Sequence, residues 1–417
     1  MKRSIFTRMA GLMLAFGLFF GCSTSLPPFD QAKNNFAKHD LTNALKSVNK
    51  EISAHPDNPD AYYLKGNILF EIARNNTDIA DRKPTYHDMR DALTKSRQMY
   101  QKKGNSQVDV QNINDLLRNG WSNEVHHGLQ LMKQDSSVQD IDYQKSIHHF
   151  DNAITLIPDS TSAYQYRARA FYKVDKIDSA LATLQKIPEQ NSRKVTEQMA
   201  YLYLENSDYD QAVKLYEETE FKYPEDINVL HGLTNAYIER EEHNKAVTLL
   251  DTLVSRRPNN PTYRLSYGTE LYFLGTQKLD SLYESLKEAT AEADSVQFSE
   301  ENERKLADVD TLINHAEQQY LKANALQPYD RDIQYSTGIF YKNAAIKYSG
   351  LSPFLSDTLL QQHSNKVQTY LKAAIPYLEK VVKNSPDNKE YWRNLYELYS
   401  YFGMTEKAAE AQKKADL

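Results

Sequence analysis

Residues 193–260 read RKVTEQMAYLYLENSDYDQAVKLYEETEFKYPEDINVLHGLTNAYIEREEHNKAVTLLDTLVSRRPNN, one pattern written twice. Pro224 and Pro258 stand 34 residues apart, and so do Ala212 and Ala246, and Tyr203 and Tyr237. The spacing predicts two helical hairpins in register. A closing Pro cannot continue a helix, because it lacks the amide donor and its ring crowds the preceding turn. A small residue in each second helix marks a close crossing that a larger side chain would overpack.

The same frame extends in both directions. With the Ala of the second helix as position 20 and the closing Pro as position 32, the first repeat spans about 25–58, with Ala44 and Pro56. The second starts at Pro59, and its Ala92 arrives 14 residues late. The third begins near Trp121 and closes with Phe150, Ala153 and Pro158. Repeats four to six run from Thr161 to Asn260. The seventh delays by 36 residues before Ala316, Tyr320 and Pro328, and the eighth by 24 before Ala374 and Pro386. The ninth carries Trp392, Tyr399 and Ala408. Four of the 13 glycines, Gly66, Gly128, Gly268 and Gly338, fall at position 8, facing the crossing. Two residues after six of the closing prolines stands a strong N-cap former: Asn58, Ser160, Asp226, Asn260, Asp330 and Asn388. Pro59 and Pro261 then take the first helical position, where proline is tolerated.

A 34-residue period with small-x-x-x-aromatic and closing-Pro marks resembles the tetratricopeptide repeat (TPR). The resemblance implies an all-α, TPR-type α-solenoid of antiparallel helix pairs, with about nine repeats and insertions. The organisation expected is a leader over 1–21, a modified Cys and tether over 22–28, N-terminal repeats over 29–120 and central repeats over 121–260. A repeat with a helical insertion (276–309) follows over 261–330, and C-terminal repeats over 331–417. Residues 105–120 are expected to extend the helix that contains Trp121 backwards. The insertion, with Leu279, Leu282 and Leu286 on one face, is expected to project as lengthened helices or a hairpin, a docking arm outside the core. Residues 349–365 read as a loop, and Pro376 as a kink inside a helix.

TPR domains usually bind peptides or proteins along the face lined by positions 2, 5, 9 and 12 of each first helix. Carried over position by position, that face holds Gln165, Arg169 and Tyr172, then Glu197 and Tyr201, then His231 and Asn235, then Thr269 and Tyr272, and finally Tyr335. The family's Lys/Asn clamp for a C-terminal carboxylate is matched only at Asn235, so that activity is not carried over.

The N-terminus has its own pattern. Lys2, Arg3 and Arg8 precede an apolar run from Met9 to Gly21, too short to span a bilayer comfortably and shaped like a signal-peptide core. Leu18-Phe19-Phe20-Gly21-Cys22 resembles a bacterial lipobox, which implies that Cys22 carries lipid. Ser23, rather than Asp, follows it, and by the same resemblance to Gram-negative lipoproteins this implies sorting to the outer membrane, facing the periplasm. Cys22 is the single cysteine, so no internal disulfide forms.

Composition narrows the chemistry. Formal charge is −6 over the chain, and the body lacks basic blocks, which argues against nucleic acid as a partner. Apolar residues make up 40% and charged residues 25%, as in a folded protein. Tyrosine stands out, with 29 Tyr against 15 Phe and 2 Trp, and is expected at the aromatic positions of the repeats. Phosphate-cradling glycine loops and H-E-x-x-H are absent. Neighbouring histidines on a helix point about 100° apart, so His126-His127 and His148-His149 make no ready metal chelate. No cofactor and no metal are expected, and no enzymatic activity. The function expected is a scaffold for a protein or peptide partner, assisting envelope assembly, secretion or transport. The alternative is a glycan-binding accessory lipoprotein of a nutrient-uptake system.

Overall fold

The computed structural model describes residues 26–104, 107–133, 140–187, 192–222, 225–292 and 298–417. The leader, Cys22 and most of the tether fall outside these residues, as does Pro224. The chain divides into two compact units, residues 1–189 and 190–417. Among the described residues there is no strand, and the α-helices fall into nine consecutive pairs.

The N-terminal unit holds four pairs: α1 (Pro28–Ala37) with α2 (Leu41–Ala54), α3 (Pro59–Asn75) with α4 (Arg82–Lys102), α5 (Gln107–Lys133) with α6 (Asp140–Leu156), and α7 (Thr161–Lys173) with α8 (Ile177–Leu184). The C-terminal unit holds five: α9 (Arg193–Glu205) with α10 (Tyr209–Lys222), α11 (Ile227–Glu239) with α12 (His243–Arg256), α13 (Pro261–Glu292) with α14 (Glu300–Leu326), α15 (Arg331–Ser349) with α16 (Asp357–Asn384), and α17 (Lys389–Tyr401) with α18 (Thr405–Ala415). As expected, α5 starts well before Trp121.

All six expected N-caps form. Asn58, Ser160, Asp226, Asn260, Asp330 and Asn388 each accept a hydrogen bond from a backbone amide in the first turn of the following helix. The crossing residues are equally regular. Ala44, Ala153, Ala180, Ala212, Ala246, Ala316 and Ala374 are completely buried. A Cβ on Gly128 would stand 2.7 Å from Phe150 Cε1, and one on Gly338 2.8 Å from Leu378 Cγ, so in these two pairs the first helix approaches too closely for Ala.

Pairs without a delayed second helix share one turn that composition did not reveal. His39, Asp175, Ser207, Glu241 and Gly403, all at position 15, have φ of 58°, 57°, 58°, 57° and 64°. In each case the next residue's amide bonds back to the carbonyl at position 11, as in Glu242 to Tyr237 at 2.9 Å and Met404 to Tyr399 at 2.9 Å. This is the left-handed helix stop that satisfies the last carbonyls of the first helix.

Tyrosines join one pair to the next. In the C-terminal unit, a buried Tyr on each later first helix donates its hydroxyl to a carboxylate on the second helix before it. The bonds are Tyr237 to Glu217 at 2.6 Å, Tyr267 to Asp251 at 3.1 Å, Tyr341 to Glu317 at 2.7 Å and Tyr399 to Glu379 at 2.8 Å. The ring fills the joint and the hydroxyl reaches its rim, which Phe cannot do.

Two expectations need correction. The segment 276–309 is not an arm standing outside the core. Its described residues form the adjoining ends of α13 and α14, the lengthened helices expected as one reading, where Leu279, Leu282 and Leu286 are buried in one cluster with Val309, Ile313, Tyr348 and Leu351. Tyr283 packs edge-on against Phe354 at 5.7 Å, and Lys347 donates to Asp280 at 2.7 Å. The second correction concerns 349–365. Only its first part is a connection, built around a 3-10 turn over Ser352–Phe354, and α16 already begins at Asp357. That helix also runs on through Pro376. Pro376 has no amide to offer the carbonyl of Lys372.

Candidate functional site

The residues expected to face a partner fall in both units. On α7, Gln165 and Tyr172 are half-buried and Arg169 is exposed. On the first helices of the C-terminal unit, Tyr201 of α9 is 41% exposed, a large value for an aromatic ring. His231 and Asn235 come together on α11, with Asn235 Nδ2 3.4 Å from His231 Nε2 and the imidazole 5.6 Å from the Tyr263 ring. These three are open enough to meet a ligand.

The others are more committed to the fold. Tyr272 on α13 sets its ring edge-on to Phe340 at 5.6 Å, and burial pushes its phenol up to about 12. Thr269 is held by the Tyr320 hydroxyl at 3.0 Å. Tyr335 on α15 donates to Glu390 at 2.7 Å and packs at 4.7 Å against the tilted ring of Tyr391, so it links two first helices. Glu197 is paired with Arg193 at 2.6 Å.

Sequence reasoning missed two members of this face. Phe273, beside Tyr272, is 44% exposed and stacks on His243 at 5.4 Å. Its position 13 lies one step beyond the family's contact positions, so the frame did not flag it. Lys342 stands at position 12 of its repeat, where the frame could have flagged it. It donates to Asn394 at 2.7 Å and pairs with Glu397.

Two His–carboxylate pairs join helices, one buried in the N-terminal unit and one beside Phe273, with a half-buried His. Glu124 on α5 lies with one oxygen 2.6 Å from His149 Nδ1, while the other accepts from Tyr86 at 2.8 Å and pairs with Arg82 at 3.1 Å. Burial alone would raise this carboxyl. The hydrogen bond and charge of His149, with Tyr86 and Arg82, override burial and hold it below the usual carboxylate range. Asn152 donates to the carbonyl of Ile79 at 2.9 Å, and Arg82 to that of Asn76 at 2.8 Å. The cluster therefore pins the α3–α4 connection onto α5 and α6. In the second pair, Glu270 lies 2.7 Å from His243, and there burial wins and raises the carboxyl. Among the described residues, no group of three or more His, Cys, Asp or Glu is placed to hold a metal ion.

The repeat geometry decides what this scaffold resembles. A tetratricopeptide-repeat family model matches residues 203–266. The fold is an all-α array of helix pairs of the tetratricopeptide-repeat type. No curated protein matches the chain in sequence. Among similar solved structures, YrrB, a TPR protein with an unusual peptide-binding site, is 17% identical with a TM-score of 0.37, covering 58% of this chain and 96% of its own. MamA MSR-1 is 15% identical with a TM-score of 0.33, covering 51% of this chain and 98% of its own. MamA from Desulfovibrio magneticus RS-1 is 13% identical with a TM-score of 0.34, covering 52% and 97%. Among the described residues, no helix of this chain is long and apolar enough to cross a membrane.

Proposed function

We propose that this chain is a non-enzymatic scaffold that binds a protein or peptide partner, anchored by lipid on Cys22 to the periplasmic face of the outer membrane. There it gathers components for envelope assembly, secretion or transport. The observation that carries the binding role is the open row on the first helices of the C-terminal unit: Tyr201, then His231 with Asn235, then Phe273. Their large, few-rotor side chains stay accessible above crossings that are otherwise fully packed, which suits an extended segment. The anchor rests on the charged start, the short apolar run and the Gly21-Cys22-Ser23 junction.

Protein is favoured over glycan because both Trp rings are half-buried and packed against the core. The indole of Trp121 donates to Ser160 at 2.9 Å, and that of Trp392 to the carbonyl of Pro386 at 2.7 Å. The test is in-cell crosslinking with mass spectrometry on the parent, on a Tyr201→Ala/His231→Ala/Phe273→Ala variant, and on Cys22→Ser. Loss of captured partners in the first variant, and release of the second from membranes, are the expected results. Unchanged capture removes the binding face from the proposal, and a membrane-bound Cys22→Ser removes the anchor.

A further inference from the structure

A second opening lies in the N-terminal unit, where α4, α6 and α7 leave a cleft of about 670 Å3 that reaches the end of α8. Its size lies within the range of about 300–1,000 Å3 typical of ligand pockets. Its lining is unlike the rest of this acidic chain. Lys83, His87, Arg90, Arg167 and Lys186 meet there, and Asp151 is the one acidic residue among them.

These cations divide into two kinds. Arg167 is held by Asp151 at 3.0 Å, and Arg90 donates to the carbonyl of Thr155 at 2.9 Å, so both are built into the walls. His87 stands loosely beside Asp91 at 3.5 Å. Lys83 and Lys186 are exposed, and neither ammonium makes an ion pair or side-chain hydrogen bond among the described residues. Between the cations the surface is apolar: Ile154, Pro158 and the ring of Tyr164 line it. An isolated inorganic anion or a lipid headgroup has no use for such a floor. A chain that alternates carboxylates with apolar side chains uses both features, because the ammonium rim attracts the charges while the floor takes the apolar groups.

We propose that this cleft binds an acidic peptide segment of a partner protein whose carboxylates are interspersed with apolar residues. Lys83 and Lys186 act as the charged rim, and Arg90 and Arg167 as the fixed walls. The site is separate from the Tyr201 face, and its test leaves that face untouched.

The measurement is fluorescence anisotropy on the full chain, with a fluorescein-labelled peptide of alternating Glu and Leu as probe. A peptide of alternating Lys and Leu serves as the control. The Glu/Leu probe is expected to bind, to weaken as salt screens the rim, and to lose affinity by about tenfold in Lys83→Glu/Lys186→Glu. The neutral Lys83→Gln/Lys186→Gln pair is expected to fall between, with helicity unchanged by circular dichroism in both variants. Equal binding of the two peptides, no binding of either, or full affinity in both double variants overturns the proposal. So does binding of phosphatidylglycerol vesicles that depends on the same lysines while the Glu/Leu peptide stays free, since the site would then serve a membrane surface.

Discussion

At the four joints of the C-terminal unit the hydroxyl is what separates Tyr from Phe. Tyr237, Tyr267, Tyr341 and Tyr399 are each at least nine-tenths buried, yet each hydroxyl reaches a carboxylate of the neighbouring pair. A hydrogen bond to a charged group contributes about 1.5–3 kcal/mol. Glu379 is 38% exposed, so water replaces part of what Tyr399 supplies, and Tyr399→Phe is expected to cost about 1 kcal/mol. Denaturant melts of the parent and the variant check this, and equal midpoints would show the hydroxyl to be idle. Burial and the nearby carboxylates also push these phenols above their ordinary value of 10.0, and Tyr216 and Tyr320 are pushed up to about 12. The sign follows from linkage: the folded chain holds the phenolic proton more tightly than the unfolded chain. This stabilisation is complete below the ordinary value and is lost as pH rises past it through the raised values. An alkaline titration followed by tyrosinate absorbance should therefore run in two stages, open phenols first and buried ones only as helicity falls. A single stage near pH 10 with helicity intact would contradict it.

At the scale of the element, the left-handed stop after the first helix is the feature most open to improvement. Glu241 holds φ of 57° with a side chain that gains nothing from the conformation. The left-handed region costs an L-residue about 1–2 kcal/mol, while glycine returns part of the gain through its freer unfolded chain. Glu241→Gly is expected to stabilise the protein by about 0.5–1 kcal/mol, and a lowered midpoint in a thermal melt would refute that. The stop also shows where the sequence became unreadable. Caps and crossings were legible because Asn, Asp, Pro, Ala and Gly each answer a local demand at a fixed offset. The stop was not, because four of its five occurrences use His, Asp, Ser or Glu instead of Gly. In the segment 276–309 the lengthened helices were legible, and the burial of their inner face was not, for a different reason. Its stripe of Leu279, Leu282 and Leu286 was visible, but what covers it, Tyr348 and Leu351, arrives some 60 residues later, beyond the reach of periodicity. Of the residues on the candidate face, Tyr201 and His231 are exposed and Asn235 is half-buried. Tyr272 and Tyr335 were claimed by neighbours that only the packing reveals.

At the scale of the molecule, the two units differ in how their interiors are connected. In the C-terminal unit, one cluster of buried side chains runs from Ala200 to Ala411 through every pair. In the N-terminal unit, the described buried side chains fall into several smaller clusters, among them one around Val48 and Ile68 and another around Met89 and Leu93. In a repeat array, cooperativity is set by the interfaces between neighbours relative to what each repeat holds alone. The same contrast makes the chain an asymmetric spring. Pulled from its ends, the N-terminal unit should lengthen in several small steps at low force, while the C-terminal unit holds its length and then gives way in one large step. Optical-trap traces in which the C-terminal unit instead yields pair by pair would show that its shared interior does not bind the pairs together. If the lipid at Cys22 fixes the near end to a membrane, load applied through a bound partner reaches the compliant unit before it reaches the anchor, and the proposed partner-binding row stays intact under strain.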